Sequence, residues 1–304
     1  MLFLSGGTGT PKLLQGVRKF MPDEDITVIV NTAEDTWVSG NLVCPDIDTL
    51  LYLFSGLIDD DRWWGVKGDT YHTHDALAGF GCREGMMIGD VDRATHVLRS
   101  SLLREGKSLS EAIEVLGLRM GVRARVLPMS NDPLATMIMT DVGLIHFQDF
   151  WVVKRGSPRV DCVVIEGMDR ASATDEVVDA IKSSDSVVIG PSNPVTSIGP
   201  ILRLRGVRSL LRERFVLGVS PIVGCEPVSG PAGKLLSSEG YSVSSCGVAE
   251  YYGDILDLFV VDLRDGASPG EFDIPVVVAD TLMTSLEVSV ELGRRIICEI
   301  DRNV

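Results

Sequence analysis

A short apolar run, Leu2 to Leu4, opens into Ser5-Gly6-Gly7-Thr8-Gly9-Thr10-Pro11-Lys12 and then into an amphipathic stretch, so the chain begins strand, glycine turn, helix. Pro11 suits a first helical turn, where its missing N–H costs nothing, and Leu13, Leu14, Val17 and Phe20 recur at helical spacing. Backbone N–H groups in such a turn can point at an anion, and the helix dipole favours negative charge at the same spot. The structural alternative is a glycine turn required only for tight strand-to-helix geometry. Neither familiar glycine signature fits. A Walker A lysine follows glycine and precedes Ser or Thr, whereas Lys12 lies between Pro11 and Leu13. The third glycine of a dinucleotide turn would fall at Lys12.

Composition narrows the ligand. A chain of 304 residues with 45% hydrophobic content can bury a large core, either as one α/β unit or as one unit with an insertion. Its formal charge of −15 argues against a nucleic-acid surface, so a phosphate ligand has to be held locally by backbone amides, hydroxyls, a few cations or a divalent metal. No apolar run is long enough for a membrane helix or a signal peptide, which leads to the expectation of a cytoplasmic protein without a membrane partner. Cys44, Cys82, Cys162, Cys225, Cys246 and Cys298 are dispersed and predict free thiols. His72 and His74 lack a third ligand nearby, so no metal site is expected there.

Ile26 to Val30 reads as a buried strand ending in Asn31-Thr32-Ala33-Glu34-Asp35. Glu34 and Asp35 fall about 20–25 residues past the glycine turn, where an acid commonly meets a ribose; a polar loop cap explains them equally well. After Pro45, Asp46 and Asp48 occupy the first turn of a helix. They either complement its dipole or hold a hard cation such as Mg²⁺. Residues 59–89, with Trp63-Trp64, lack a period and read as an insert or lid. Gly89-Asp90-Val91-Asp92-Arg93 opens another helix, with Asp90 or Asp92 as its cap and Arg93 and His96 as candidates to face a substrate. Strand-like pieces at 124–127, 136–140, 143–147 and 160–165 predict an α+β insertion, placed at about 59–165 within a single unit spanning 1–304. The strand 186–190 leads into Pro191-Ser192-Asn193-Pro194, whose hydroxyl and amide donors suit a phosphate or base edge. Ser229 to Lys234 forms a second glycine turn, and 215–219, 256–261 and 275–279 are further strands before a helix at 286–300.

Taken in order, residues 5–12, 31–35, 45–49, 89–96, 146–151, 190–200 and 229–234 resemble the motifs of the 2-phospho-L-lactate transferase family over nearly the whole chain. The resemblance implies a Rossmann-like, doubly wound, mostly parallel α/β fold with an inserted α+β subdomain, assembled as a homodimer. It implies transfer of a 2-phospholactyl group from lactyl-(2)-diphospho-(5′)-guanosine to 7,8-didemethyl-8-hydroxy-5-deazariboflavin, with release of GMP and formation of coenzyme F-420-0. Mg²⁺ is the implied cofactor, with Asp46 and Asp48 as metal-binding and catalytic residues. Gly6, Gly7, Thr8, Gly9, Thr10, Lys12, Asn31, Glu34, Asp35, Asp92, Arg93, Ser192, Asn193 and Pro194 are the implied contacts to nucleotide, diphosphate and deazaflavin. The family often carries Arg or Lys where this chain has Val91, and Arg93 is the candidate to compensate. A non-catalytic regulator that binds a nucleotide sugar is the competing reading, and a nicotinamide dehydrogenase the third.

Overall fold

β1 (Leu2–Ser5) has every residue buried, and its side chains alternate between two cores: Leu2 and Leu4 join one hydrophobic cluster and Phe3 the other. A strand with both faces buried belongs in the middle of a sheet covered by helices on both sides. The computed structural model describes residues 1–224, 226–266 and 269–304; Cys225 lies outside the described residues. In it β1 is joined by β2 (Thr27–Val30), β3 (Arg125–Pro128), β4 (Ser186–Ile189), β5 (Phe215–Val219), β6 (Leu258–Asp262) and β7 (Val276–Ala279). Their spatial order is 7-6-5-4-1-2-3, and every pairing is parallel. The chain winds outward from β1 to β3, then returns to lay β4 on the other flank of β1. The strand order therefore reverses between β1 and β4, where the loops leaving the carboxyl ends diverge and open a crevice.

The expected insertion at 59–165 is interrupted, because Arg125–Pro128 is an edge strand of the main sheet. Additions lie on either side of it. Before β3 come a hairpin (Thr36–Val38 with Asn41–Val43), α2 (Pro45–Ser55), the turn-rich segment 56–89 with one short helix (His72–Gly79), α3 (Asp90–Arg104) and a helix at Leu109–Arg119. After β3 a three-stranded antiparallel sheet has Ala135–Thr140 at its centre. His72 and His74 stand in the first turn of the short helix His72–Gly79. The five cysteines described are free thiols. Among the described residues no helix is long and apolar enough to cross a membrane.

α1 (Gly9–Val17) packs along the last helix, α4 (Leu286–Asn303), and Gly16 is the point of closest approach. A methyl group at residue 16 would lie 2.3 Å from the Ser289 carbonyl oxygen, which is backbone and cannot step aside. Gly16→Ala is expected to cost about 1–3 kcal/mol through overpacking. The measurement is urea unfolding, with a lowered midpoint and an unchanged slope; an unchanged midpoint would show that the two helices part without penalty.

Candidate functional site

The crevice predicted by the strand order is a cleft of ≈520 Å³. Its floor is made of loops leaving β1, β2, β4 and β5, together with the first turn of α2. Gly6 allows these loops to meet: a Cβ there would lie 2.6 Å from the Ser197 Cβ and 2.9 Å from Asp46 Oδ2. Gly9 likewise permits contact with the loop after β4, since a Cβ would sit 1.8 Å from the Pro191 carbonyl oxygen. Ser192 ties the same two loops together. Its hydroxyl is 2.7 Å from Thr10 Oγ1 and donates to the Gly6 carbonyl. The Asn193 side-chain carbonyl accepts from the N–H of Val195 at 3.0 Å and so shapes the turn beside it. The glycine turn therefore has a structural role as well as an exposed rim at Gly7, Thr8 and Gly9.

Asp46 stands at the centre of this floor. Its Oδ1 accepts the Gly7 N–H at 2.7 Å, and its Oδ2 accepts from the Asn31 side-chain amide at 2.9 Å. Asn31 is itself fixed: its amide also donates to the Thr196 carbonyl, and its oxygen accepts the Ala33 N–H at 3.0 Å. Burial pushes the Asp46 carboxyl up to about 6, against the pull of the Asn31 and Gly7 hydrogen bonds. Glu34, which shares the cleft wall, is driven well above the usual carboxylate range by burial and by the Asp46 charge. Burial also raises Asp35, with Asp46 and Asp48 adding to the effect. Glu34 Oε1 and Asp35 Oδ1 have no hydrogen-bond partner, and among the described residues none of the three acids forms an ion pair. Glu34 and Asp46, two carboxylates on the cleft wall with no cationic partner among the described residues, could hold a hard divalent cation whose remaining positions go to ligand oxygens and water.

Asp48 has a different environment. The Arg99 guanidinium clasps it, one nitrogen at 3.2 Å from Oδ2 and the other closer still on Oδ1, and the Cys44 N–H donates to it. His96 Nε2 lies 3.2 Å from Asp48 Oδ2 and 3.1 Å from Asp92 Oδ1, neither contact being well aligned for a hydrogen bond. Tyr52 donates its hydroxyl to Asp92 at 2.7 Å. Burial opposes protonation of His96, but the two carboxylates outweigh it and hold the imidazole protonated up to about 9. Asp48, despite burial, is held below the usual carboxylate range by Arg99 and His96. Two acids and two bases thus neutralise one another between α2 and α3. Neither Asp48 nor Asp92 lines the cleft. These three, Asp48, Asp92 and His96, are the metal-ligand cluster found among the described residues, and Arg99 already neutralises part of its charge.

Arg93 also faces elsewhere, making a paired contact with Glu84 at 2.9 and 2.7 Å, with His74 on the same carboxylate at 2.8 Å. Val91 is half exposed, and its N–H donates to Asp69. Asp69, rather than Asp90 or Asp92, caps α3, because its carboxylate reaches the N–H groups of Val91 and Asp92 while Asp90 turns back to Thr70, His72 and Thr73. Around the cleft mouth stand Lys12, Trp63, Trp64, Met86, Gln148 and Trp151. The second glycine turn contributes Ser229 to Ala232, but Lys234 points away and donates to the Gly156 carbonyl at 2.7 Å. Pro194 is buried at the first position of the turn after Asn193. Of the candidate site residues, Gly7, Thr8, Gly9, Lys12, Glu34, Asp46, Ser192 and Asn193 line the cleft. Gly6, Thr10, Asn31 and Asp35 lie just behind it, and Asp48, Asp92 and Arg93 form the supporting ion pairs. Met86, Phe147, Gln148 and Trp151 carried no local signal beyond the motif at 146–151.

Comparison with known proteins places these motifs in a family context. Residues 1–273 match the family described as 2-phospho-L-lactate transferase CofD. The chain is 53% identical over 300 residues to the 2-phospho-L-lactate transferase of Methanococcoides burtonii, covering 98% of each, and 52% identical to that of Methanosarcina mazei, covering 98% of this chain and 99% of the relative. The enzyme of Methanocaldococcus jannaschii is 45% identical over 298 residues, covering 97% of this chain and 96% of its own. Among solved structures, a UPF0052-family protein of Bacillus halodurans superposes with a TM-score of 0.69 at 16% identity, covering 97% of this chain and 98% of that one, a likeness of fold alone.

Two outcomes test the ion pairs that frame the site. Arg99→Met takes the guanidinium from buried Asp48 and leaves two carboxylates, Asp48 and Asp92, to the single imidazolium of His96, which is expected to cost about 3–5 kcal/mol. Adding Asp48→Asn should recover much of that loss, whereas fully additive losses in chemical denaturation would deny the pairing. Glu84 is held down to about 2 by Arg93, Ser39 and His74 against the effect of its burial, compared with 4.5 for the ordinary group. Its contribution is complete above pH 4.5 and lost as pH falls towards 2. Glu84→Gln should therefore lose about 1–3 kcal/mol at pH 7. The gap from the parent protein should narrow on acidification, and a gap independent of pH would refute the assignment.

Proposed function

The chain belongs to the 2-phospho-L-lactate transferase CofD family, and from that premise we propose that it transfers the 2-phospholactyl group of lactyl-(2)-diphospho-(5′)-guanosine to 7,8-didemethyl-8-hydroxy-5-deazariboflavin, releasing GMP and forming coenzyme F-420-0. The observation that carries the mechanism is the Asp46 carboxylate, held by the Gly7 N–H and the Asn31 amide on the floor of a cleft rimmed by the glycine turn and the Ser192-Asn193 loop. The acceptor's ribityl hydroxyl attacks the phosphorus that carries the lactyl group. A new P–O bond forms as the bridging P–O bond to GMP breaks, and the hydroxyl proton passes to Asp46. Burial raises the Asp46 carboxyl and so favours its accepting a proton, while a cation beside it would favour the ionised form that must precede that step.

Each oxygen of Asp46 spends one acceptor site on a fixed donor and keeps a lone pair for the hydroxyl. The reaction needs alignment and charge neutralisation more than a covalent nucleophile. Mg²⁺, held by Asp46 and Glu34 with Asp35 behind them, would neutralise diphosphate charge. Lys12, the N–H groups of Thr8 and Gly9 and the Thr8 hydroxyl supply the protein's own share of that role, the Gly7 N–H and the Ser192 hydroxyl being already spent on Asp46 and on the Gly6 carbonyl. Asp48 acts at one remove, by fixing the start of α2 and hence the position of Asp46.

The test is GMP formation by the purified protein with both substrates and Mg²⁺. Asp46→Asn is expected to lower kcat by at least about two orders of magnitude, and chelation of the metal should abolish turnover until Mg²⁺ is returned. Binding of nucleotide without GMP formation under any metal condition would replace the transferase by the regulator reading.

A further inference from the structure

Lys12 and Trp63 enter the cleft from different elements and meet there. Lys12 extends from the first turns of α1, and its ammonium lies over the Trp63 ring, 5.4 Å from the centroid. Among the described residues Lys12 has no carboxylate partner and its side chain makes no hydrogen bond, and burial lowers its pKa from that of a free lysine. The other cation on the wall, Arg62, is already engaged. It pairs with Asp59, donates to the Tyr71 hydroxyl at 2.8 Å and stacks over Trp64. Trp63 itself is held at a φ of 62°, an uncommon conformation for a bulky side chain, in a turn closed by its N–H to the Asp59 carbonyl at 2.7 Å. The turn thus presents an indole at a constrained angle, with Lys12, the one unpaired cation of the cleft among the described residues, lying on it.

An ammonium and a flat heteroaromatic ring cannot occupy the same indole face. A charge-assisted hydrogen bond to a phosphate oxygen is also stronger than contact with a ring quadrupole. We propose that a bound diphosphate draws Lys12 off Trp63 and so clears the indole for a flat acceptor, which makes the nucleotide-linked donor bind first and the deazaflavin second. The proposal rests on the transferase reading above and adds an order of binding to it, with Lys12 as the coupling residue and Trp63 as the acceptor's stacking surface.

The experiment is titration of the full-length protein with 7,8-didemethyl-8-hydroxy-5-deazariboflavin, with and without saturating GDP and Mg²⁺. GDP is expected to tighten acceptor binding at least about fivefold, and by reciprocity the acceptor should tighten GDP by the same factor. Lys12→Met should bind the acceptor equally with and without GDP, at the tighter affinity, and Lys12→Gln repeats the test with a polar side chain of similar length. Trp63→Leu should bind it weakly under both conditions while retaining GDP. Acceptor affinity indifferent to GDP in the parent protein, or coupling that survives in both Lys12 variants, would overturn the order while leaving the transferase intact. No acceptor binding under any condition would overturn both.

Discussion

Asp46 is the point on which the site's geometry depends. Its two oxygens bind the glycine turn after β1 and the asparagine after β2, and that asparagine also reaches the loop after β4. Three strand ends are thereby fixed to the first turn of one helix by a single buried carboxylate. Each donor is a rigid group: a backbone amide, and a side-chain amide whose own oxygen is satisfied. The arrangement keeps a charged group out of bulk water yet facing a cleft, where its interactions with substrate are strengthened by the low local dielectric.

The two acidic groupings near that carboxylate illustrate opposite uses of burial. Asp48 and Asp92 are compensated by Arg99 and His96, so the quartet is close to neutral and serves to join α2 to α3. Glu34, Asp35 and Asp46 form no ion pair among the described residues, and burial raises all three carboxyl groups, against only a partial pull of Arg99 on Asp35. In a chain of net charge −15 the cost of that crowd is substantial, and proteins sustain such a cost where a ligand relieves it. Sequence proximity conceals the distinction, since Asp46 and Asp48 are two residues apart on one helix and face different surroundings.

Much of the architecture was legible because buried parallel strands leave unmistakable runs. The segments at 26–30, 186–190, 215–219 and 275–279 are short, apolar and β-branched, and each became a strand of the main sheet. The glycine turn announced the crevice for a physical reason as well: only residues without a Cβ allow Gly6 and Gly9 to touch Ser197 and Pro191. Arg125–Pro128 was harder to place. Its four residues are too few to show a period, and nothing local says which sheet an edge strand joins. The partners of Asp48 and Arg93 were hidden for a related reason, because Arg99 comes from another helix and Glu84 from a turn-rich segment without a period. The aromatic rim is the extreme case, since Trp63 and Trp151 come together from distant parts of the chain.

The strand order also sets when the site can exist. β1 pairs with β2 after only a short helix, but its other neighbour, β4, begins at Ser186. At ~5–20 residues per second, the ribosome needs roughly ten to forty seconds to supply that strand. Until then β1 presents a free, apolar edge, and the glycine turn lacks the Pro191–Ser197 loop that closes over it. A nascent chain of this protein therefore cannot complete the sheet around β1 during that interval, and shielding of that apolar strand matters most until β4 is made.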